Sequence, residues 1–135
     1  MPAESDDELR SILEYETIAV VGCSTTPGKP AHDVPAYLDR NGYHVIPVNP
    51  FADEILGHEA YDSLAEVDER VDVVDVFRPS DEVPGIVEEA LERDDVRVVW
   101  LQEGIVHDET GLDVEADGRQ FVQNHCMKIE HRRLV

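Results

Sequence analysis

The sequence predicts an α/β chain, a doubly wound parallel sheet of about five strands held between helices in three α/β/α layers. Three observations predict it. Strand-length apolar runs such as Thr17-Ile-Ala-Val-Val21 are continuous rather than alternating, as in strands covered on both faces. Segments with apolar residues at helical spacing lie between those runs. The two kinds of segment alternate from start to finish at short intervals, the pattern of parallel βαβ units.

Element by element, Ser5-Asp-Asp-Glu8 has the form of a capping box, and Leu9, Ile12 and Leu13 make one apolar stripe, so a leading helix is expected over 6–15. The first strand follows at 17–22 and ends in Gly22. After a loop rich in Ser, Thr, Gly and Pro, Asp33 is expected to cap a helix with Pro35 in its first turn. Val34, Tyr37 and Leu38 form its inner face, and Gly42 ends it. Strands are expected at 43–48 and 71–77. Ser80 then caps a helix carrying Val83, Ile86, Val87, Ala90 and Leu91. A fourth strand at 96–101, a turn at Gly104, a weaker helix over 110–117 and a last strand at 119–123 complete the pattern, with a tail that carries Ile129.

The length of 135 residues suits one domain, and neither a linker nor a repeat divides it, so residues 1–135 are read as a single domain with 1–16 as its leading helical segment. No run of 18 apolar residues is present, and the acidic start MPAESDDELR lacks a signal-peptide core. Cys23 and Cys126 share neither a redox nor a metal spacing, which points to a reduced, cytoplasmic chain. Formal net charge is −20, from 31 acidic and 11 basic residues, with Lys29 and Lys128 the two lysines. Such a surface repels nucleic acid and anionic lipid, so neither is an expected partner. The same excess of carboxylates is the composition of a halophilic cytosolic protein, whose self-repulsion is screened in molar salt.

In an open parallel sheet, ligands bind beyond the carboxyl ends of the strands, where strand order reverses. Four loops therefore matter: Gly22-Cys-Ser-Thr-Thr-Pro-Gly-Lys29, Asn49-Pro50, Arg78-Pro79 and Gln102-Glu-Gly104. In the first, Gly22 permits a tight turn, Ser24, Thr25 and Thr26 offer hydroxyls, and the helix start that follows offers N–H groups to an anion. Lys29 supplies a cation there. The dinucleotide pattern G-x-G-x-x-G fails after Gly22, and the second strand ends in Val48-Asn49-Pro50 without the acidic residue that holds a ribose. The phosphate-loop pattern fails too, because Cys23 stands at its first glycine and Pro30 where magnesium would need a hydroxyl.

Ile18-Ala-Val-Val-Gly-Cys-Ser24, Gly42-Tyr-His-Val-Ile-Pro-Val-Asn-Pro50, Ile55-Leu-Gly57, Val73-Val-Asp-Val-Phe-Arg78, Val99-Trp-Leu-Gln102 and Cys126-Met-Lys-Ile-Glu130 resemble, in order, the small stand-alone CoA-binding domain proteins. These share a Rossmann-like domain with the alpha subunit of succinyl-CoA synthetase. The resemblance implies coenzyme A as ligand, its nucleotide and pyrophosphate against Gly22, Cys23, Ser24, Thr25, Lys29 and Pro30. It implies Val48, Asn49 and Pro50 beside the adenosine end, Phe77 and Arg78 nearby, and Gln102 and Gly104 along the pantetheine path. Some relatives carry an arginine where Ala31-His32-Asp33 stands here, which leaves the phosphate contact to Lys29 and His32. Asn49 is expected to hydrogen-bond ribose or base without repelling a 3′-phosphate.

The implied function is a CoA- or acyl-CoA-binding module or regulator without catalysis of its own. The partner, if any, is a second copy or an acyl-CoA enzyme. The alternatives are an NAD(P)-linked oxidoreductase or a detached acyl-CoA synthetase subunit, whose catalytic groups would come from a partner chain. Cys23, near a helix start, is the better candidate for a reactive thiol. Cys126 is expected in the core beside a surface His125. His107-Asp108-Glu109 and Asp68-Glu69 read as solvated faces. Asp72 and Asp75, unusual on a buried strand, are expected at a cap or an edge.

Overall fold

A computed structural model describes residues 2–135; Met1, within the expected leading segment, lies outside them. Five parallel strands form one sheet in the order β2-β1-β5-β6-β7: β1 Thr17–Val21, β2 His44–Val48, β5 Val73–Val76, β6 Val98–Leu101 and β7 Gln120–Val122. The helices are α1 Asp6–Ile12, α2 Pro30–Arg40, α3 Val83–Leu91, α4 Asp108–Ala116 and α5 Met127–Leu134. A two-stranded hairpin, β3 Glu54–Ile55 and β4 His58–Glu59, pairs separately from the sheet and packs beside β2.

Two apolar layers sandwich the sheet. One holds Ile46, Val74, Val99 and Phe121 with Val83, Val87 and Ala90 of α3. The other holds Ile18, Val20, Val45 and Trp100 with Leu9 and Ile12 of α1, Leu38 of α2 and Met127 of α5. Each strand therefore buries both faces, which is why its apolar run is unbroken.

The Ser5 capping box forms: Ser5 Oγ accepts from the Glu8 N–H and the Glu8 carboxylate accepts from the Ser5 N–H. The helix it starts stops at Ile12, short of the expected 15. Helix α2 begins at Pro30 with Lys29 as N-cap, four residues before the expected cap. Pro35 is thus inside the helix, where its missing N–H would leave the Ala31 carbonyl without its i+4 donor. The Ser24 N–H fills that role at 2.9 Å, tying the loop after β1 to the helix. Ser80 does not cap α3 either. It sits in a 3₁₀ turn, Ser80–Glu82, and its hydroxyl accepts from the Val106 N–H.

The expected C-terminal tail is helix α5. Its inner stripe is Met127, Glu130, His131 and Leu134, spaced i, i+3, i+4, i+7, with polar residues at the two middle positions. Glu130 meets Arg133 at 2.9 Å, and the Tyr37 hydroxyl meets His131 Nδ1 at 2.7 Å. Asp75 also departs from expectation: it lies in β5, the central strand, fully buried, not at an edge or cap. Asp72 does act as a cap, taking the Thr17 N–H and Arg70.

Candidate functional site

Strand order reverses between β1 and β5, and the loops that follow these two strands form the floor of a cleft of about 590 Å³. Gly22, Cys23, Ser24, Thr25 and Lys29 line it from the first loop, Val48, Asn49 and Pro50 from the loop after β2, and Phe77 and Arg78 from the loop after β5. Three of the expected residues lie elsewhere. Pro30 and Gln102 line a second cleft of about 490 Å³ between the start of α2 and α5. Gly104 lines neither, and its N–H donates to Asn124 Oδ1.

Gly22 has φ +88°, a conformation open to glycine. A Cβ there would come within 2.8 Å of Arg78 Cδ, so the absent side chain makes room for Arg78 rather than for a ligand. Arg78 lays its stem over Gly22 and turns its guanidinium to Glu82, at 2.7 and 3.1 Å. Lys29 is exposed and has no ion pair among the described residues. Because Pro30 has no N–H, Ala31 is the first residue of α2 that can donate to an anion, and it lines the cleft. Asp33 takes the Gly28 N–H at 3.0 Å, and this bond holds its carboxyl below the usual range.

Asn49 is committed to the protein. Its amide donates to the Cys23 carbonyl at 2.9 Å, its oxygen accepts from the Phe51 N–H, and its own N–H donates to the Tyr61 carbonyl. It pins the first two loops together at the cleft. Cys23 is the clearest correction. It is fully buried, and burial with the nearby Asp75 pushes its thiol up to about 12, so the thiolate needed for chemistry does not form near neutrality.

Beneath the sheet's carboxyl edge, Gln102 Nε2 donates to Asp75 Oδ1 at 2.5 Å, and Gln102 Oε1 accepts from the Met127 N–H. The other Asp75 oxygen, Oδ2, is the buried polar side-chain atom left without a partner among the described residues. Burial raises this carboxyl to about 7, although the Gln102 bond opposes the rise.

The sequence does not single out Phe51, which stands 96% exposed at the cleft wall. Its signal is an aromatic directly after Asn49-Pro50, outside any apolar periodicity. Asp62, Ser63, Glu82 and Glu89 join the lining from turns and α3. Cys126 is half-buried in the second cleft, not in the core, and His107 is the N-cap of α4 rather than a solvated side chain. No group of three or more metal-ligating side chains occurs among the described residues.

Comparison with known proteins gives the geometry a lineage. The CoA binding domain family matches residues 16–132. The uncharacterized protein YneT of Bacillus subtilis is 41% identical over 132 residues, covering 97% of each chain. A solved structure from Thermus thermophilus superposes with a TM-score of 0.91 at 41% identity, over 98% of this chain and 100% of that one. The ADP-forming acetate–CoA ligase II of Archaeoglobus fulgidus is 29% identical over 125 residues, which cover 90% of this chain but 19% of the ligase.

Proposed function

Because the chain belongs to the CoA binding domain family, we propose that it binds coenzyme A or an acyl-CoA in the cleft at the β1/β5 reversal and acts as a binding module or regulator. The observation that carries this is the placement of Lys29 and Arg78 on that cleft in a chain of net charge −20. Asp62, Glu82 and Glu89 also line the cleft, so the reading rests on where the cations stand rather than on its net charge. Lys29, outside any ion pair among the described residues, lies at the start of α2, and Arg78 on the facing loop, which suits a ligand with several phosphates. The exposed ring of Phe51, next to Pro50, suits stacking on the adenine. Cys23 serves packing under this reading, and no residue of the chain is assigned a chemical step.

Calorimetry in molar KCl tests it. CoA should bind, NAD should not, and Lys29→Ala should loosen CoA about tenfold or more, the worth of a charge-assisted contact. Undiminished CoA affinity in Lys29→Ala, or binding of NAD alone, contradicts the assignment. Kinship with the acetate–CoA ligase supports a second reading, in which this chain is a detached subunit completed by a partner. Under that reading, ligase activity appears when a nucleotide-grasping partner is added and is absent without it.

A further inference from the structure

We propose that the second cleft holds the acyl chain of a bound acyl-CoA, and that the chain it takes is uncharged and apolar. This rests on the reading of the first cleft as the CoA site. The two clefts share Phe77, and the first turn of α2 is the wall between them: Lys29 and Ala31 line the first, Gly28, Pro30 and Asp33 the second. Phe77 is therefore where an arm leaving the first cleft would pass toward the second.

The chemistry of the second cleft fits a hydrocarbon. Val34 of α2, Phe77 after β5, Ile105 and Ile129 of α5 give it an apolar lining. Ile129 is 52% exposed on α5, an apolar side chain that an acyl chain would cover. The charged lining cancels, Lys128 and Arg132 against Asp33 and Glu103, so the cleft offers a terminal carboxylate no net attraction. Gln102, whose amide is held by Asp75 and the Met127 N–H, is fixed in the lining. Cys126 also lines the cleft and reports on its occupancy, because the other thiol, Cys23, is sealed.

Two readouts in molar KCl test the proposal: calorimetry with CoA, acetyl-, butyryl- and hexanoyl-CoA, and the rate of Cys126 alkylation by N-ethylmaleimide. Affinity should rise roughly two- to fourfold per added methylene, the gain of burying one. Hexanoyl-CoA should slow alkylation several-fold more than acetyl-CoA, which like it has no free thiol to consume the reagent. Ile129→Asp, on an exposed helix position, should flatten the length dependence by weakening hexanoyl-CoA more than CoA. If CoA binds but chain length has no effect, the acyl assignment fails and the CoA reading survives. If CoA does not bind, both fail. A length dependence without Cys126 protection puts the chain elsewhere and overturns the proposal. Self-association that shields Cys126 and ignores hexanoyl-CoA would give the cleft to a second copy.

Discussion

At the scale of single residues, Arg78 is restrained by its own neighbour. Its guanidinium is paired with Glu82 four residues on, half exposed, and a phosphate must share or displace that partner. Glu82→Gln should therefore tighten CoA roughly threefold, and Arg78→Ala should weaken it about tenfold, both by calorimetry and both less in higher salt. Asp75 gives a pH dependence. Its carboxyl rises from an ordinary 3.8 to about 7 in the fold, so the folded state holds a proton that the unfolded chain releases. That contribution is whole below pH 4 and is lost as pH climbs through about 7. Asp75→Asn keeps an acceptor for Gln102 and removes the charge. It should raise stability at pH 8 by on the order of 2–3 kcal/mol and leave it nearly unchanged at pH 4, as urea melts at the two pH values would show. Equal effects at both would contradict a buried, proton-holding carboxyl. The sequence displayed Asp75 as an oddity on an apolar strand but not its depth, which depends on β5 being the middle strand. That Cys23 and Asn49 serve the fold was equally hidden, because their partners come from other loops.

At the scale of elements, the legible parts were those whose cause is local. Apolar residues declared β1, β2, β5 and β6, the alternation of elements placed β7, and Ser5 with Glu8 declared the start of α1. Two elements stayed hidden for identifiable reasons. Helix α5 fills two of its inward positions with Glu130 and His131, whose satisfaction by Arg133 and Tyr37 is a tertiary fact. The hairpin of β3 and β4 turns through Leu56 at φ +57° and Gly57 at φ +78°, and leucine is not a residue that advertises such a turn. Gly111 shows the opposite case, a glycine inside α4 that helix propensity would replace with alanine. A Cβ there would run into the ring of Phe121. Gly111→Ala should thus destabilise by about 1–3 kcal/mol in urea melts, where propensity alone predicts a small gain. A stabilised variant would show that α4 can move off the sheet.

At the scale of the whole molecule, 31 acidic against 11 basic residues set the conditions under which the rest operates. Self-repulsion at low salt favours expansion, and molar KCl shortens the screening length to about 3 Å. The melting temperature should rise by more than about 5 °C between 0.1 and 2 M KCl, and a salt-independent value would remove the halophilic reading. The strand order β2-β1-β5-β6-β7 was foreseen as a class and not as an arrangement, since pairing order leaves no local mark. That order creates the cleft, and it brings Gly22, Asn49 and Arg78, far apart in the chain, to one rim. The central claim is that CoA occupies this rim. Its most direct test is an amide chemical-shift titration of the ¹⁵N-labelled protein with CoA in molar KCl. The largest shifts should fall on Gly22 to Thr25, Lys29, Asn49 to Phe51 (Pro50 excepted) and Phe77-Arg78. No shifts, or shifts confined to the far edge around β7 and α4, would contradict it.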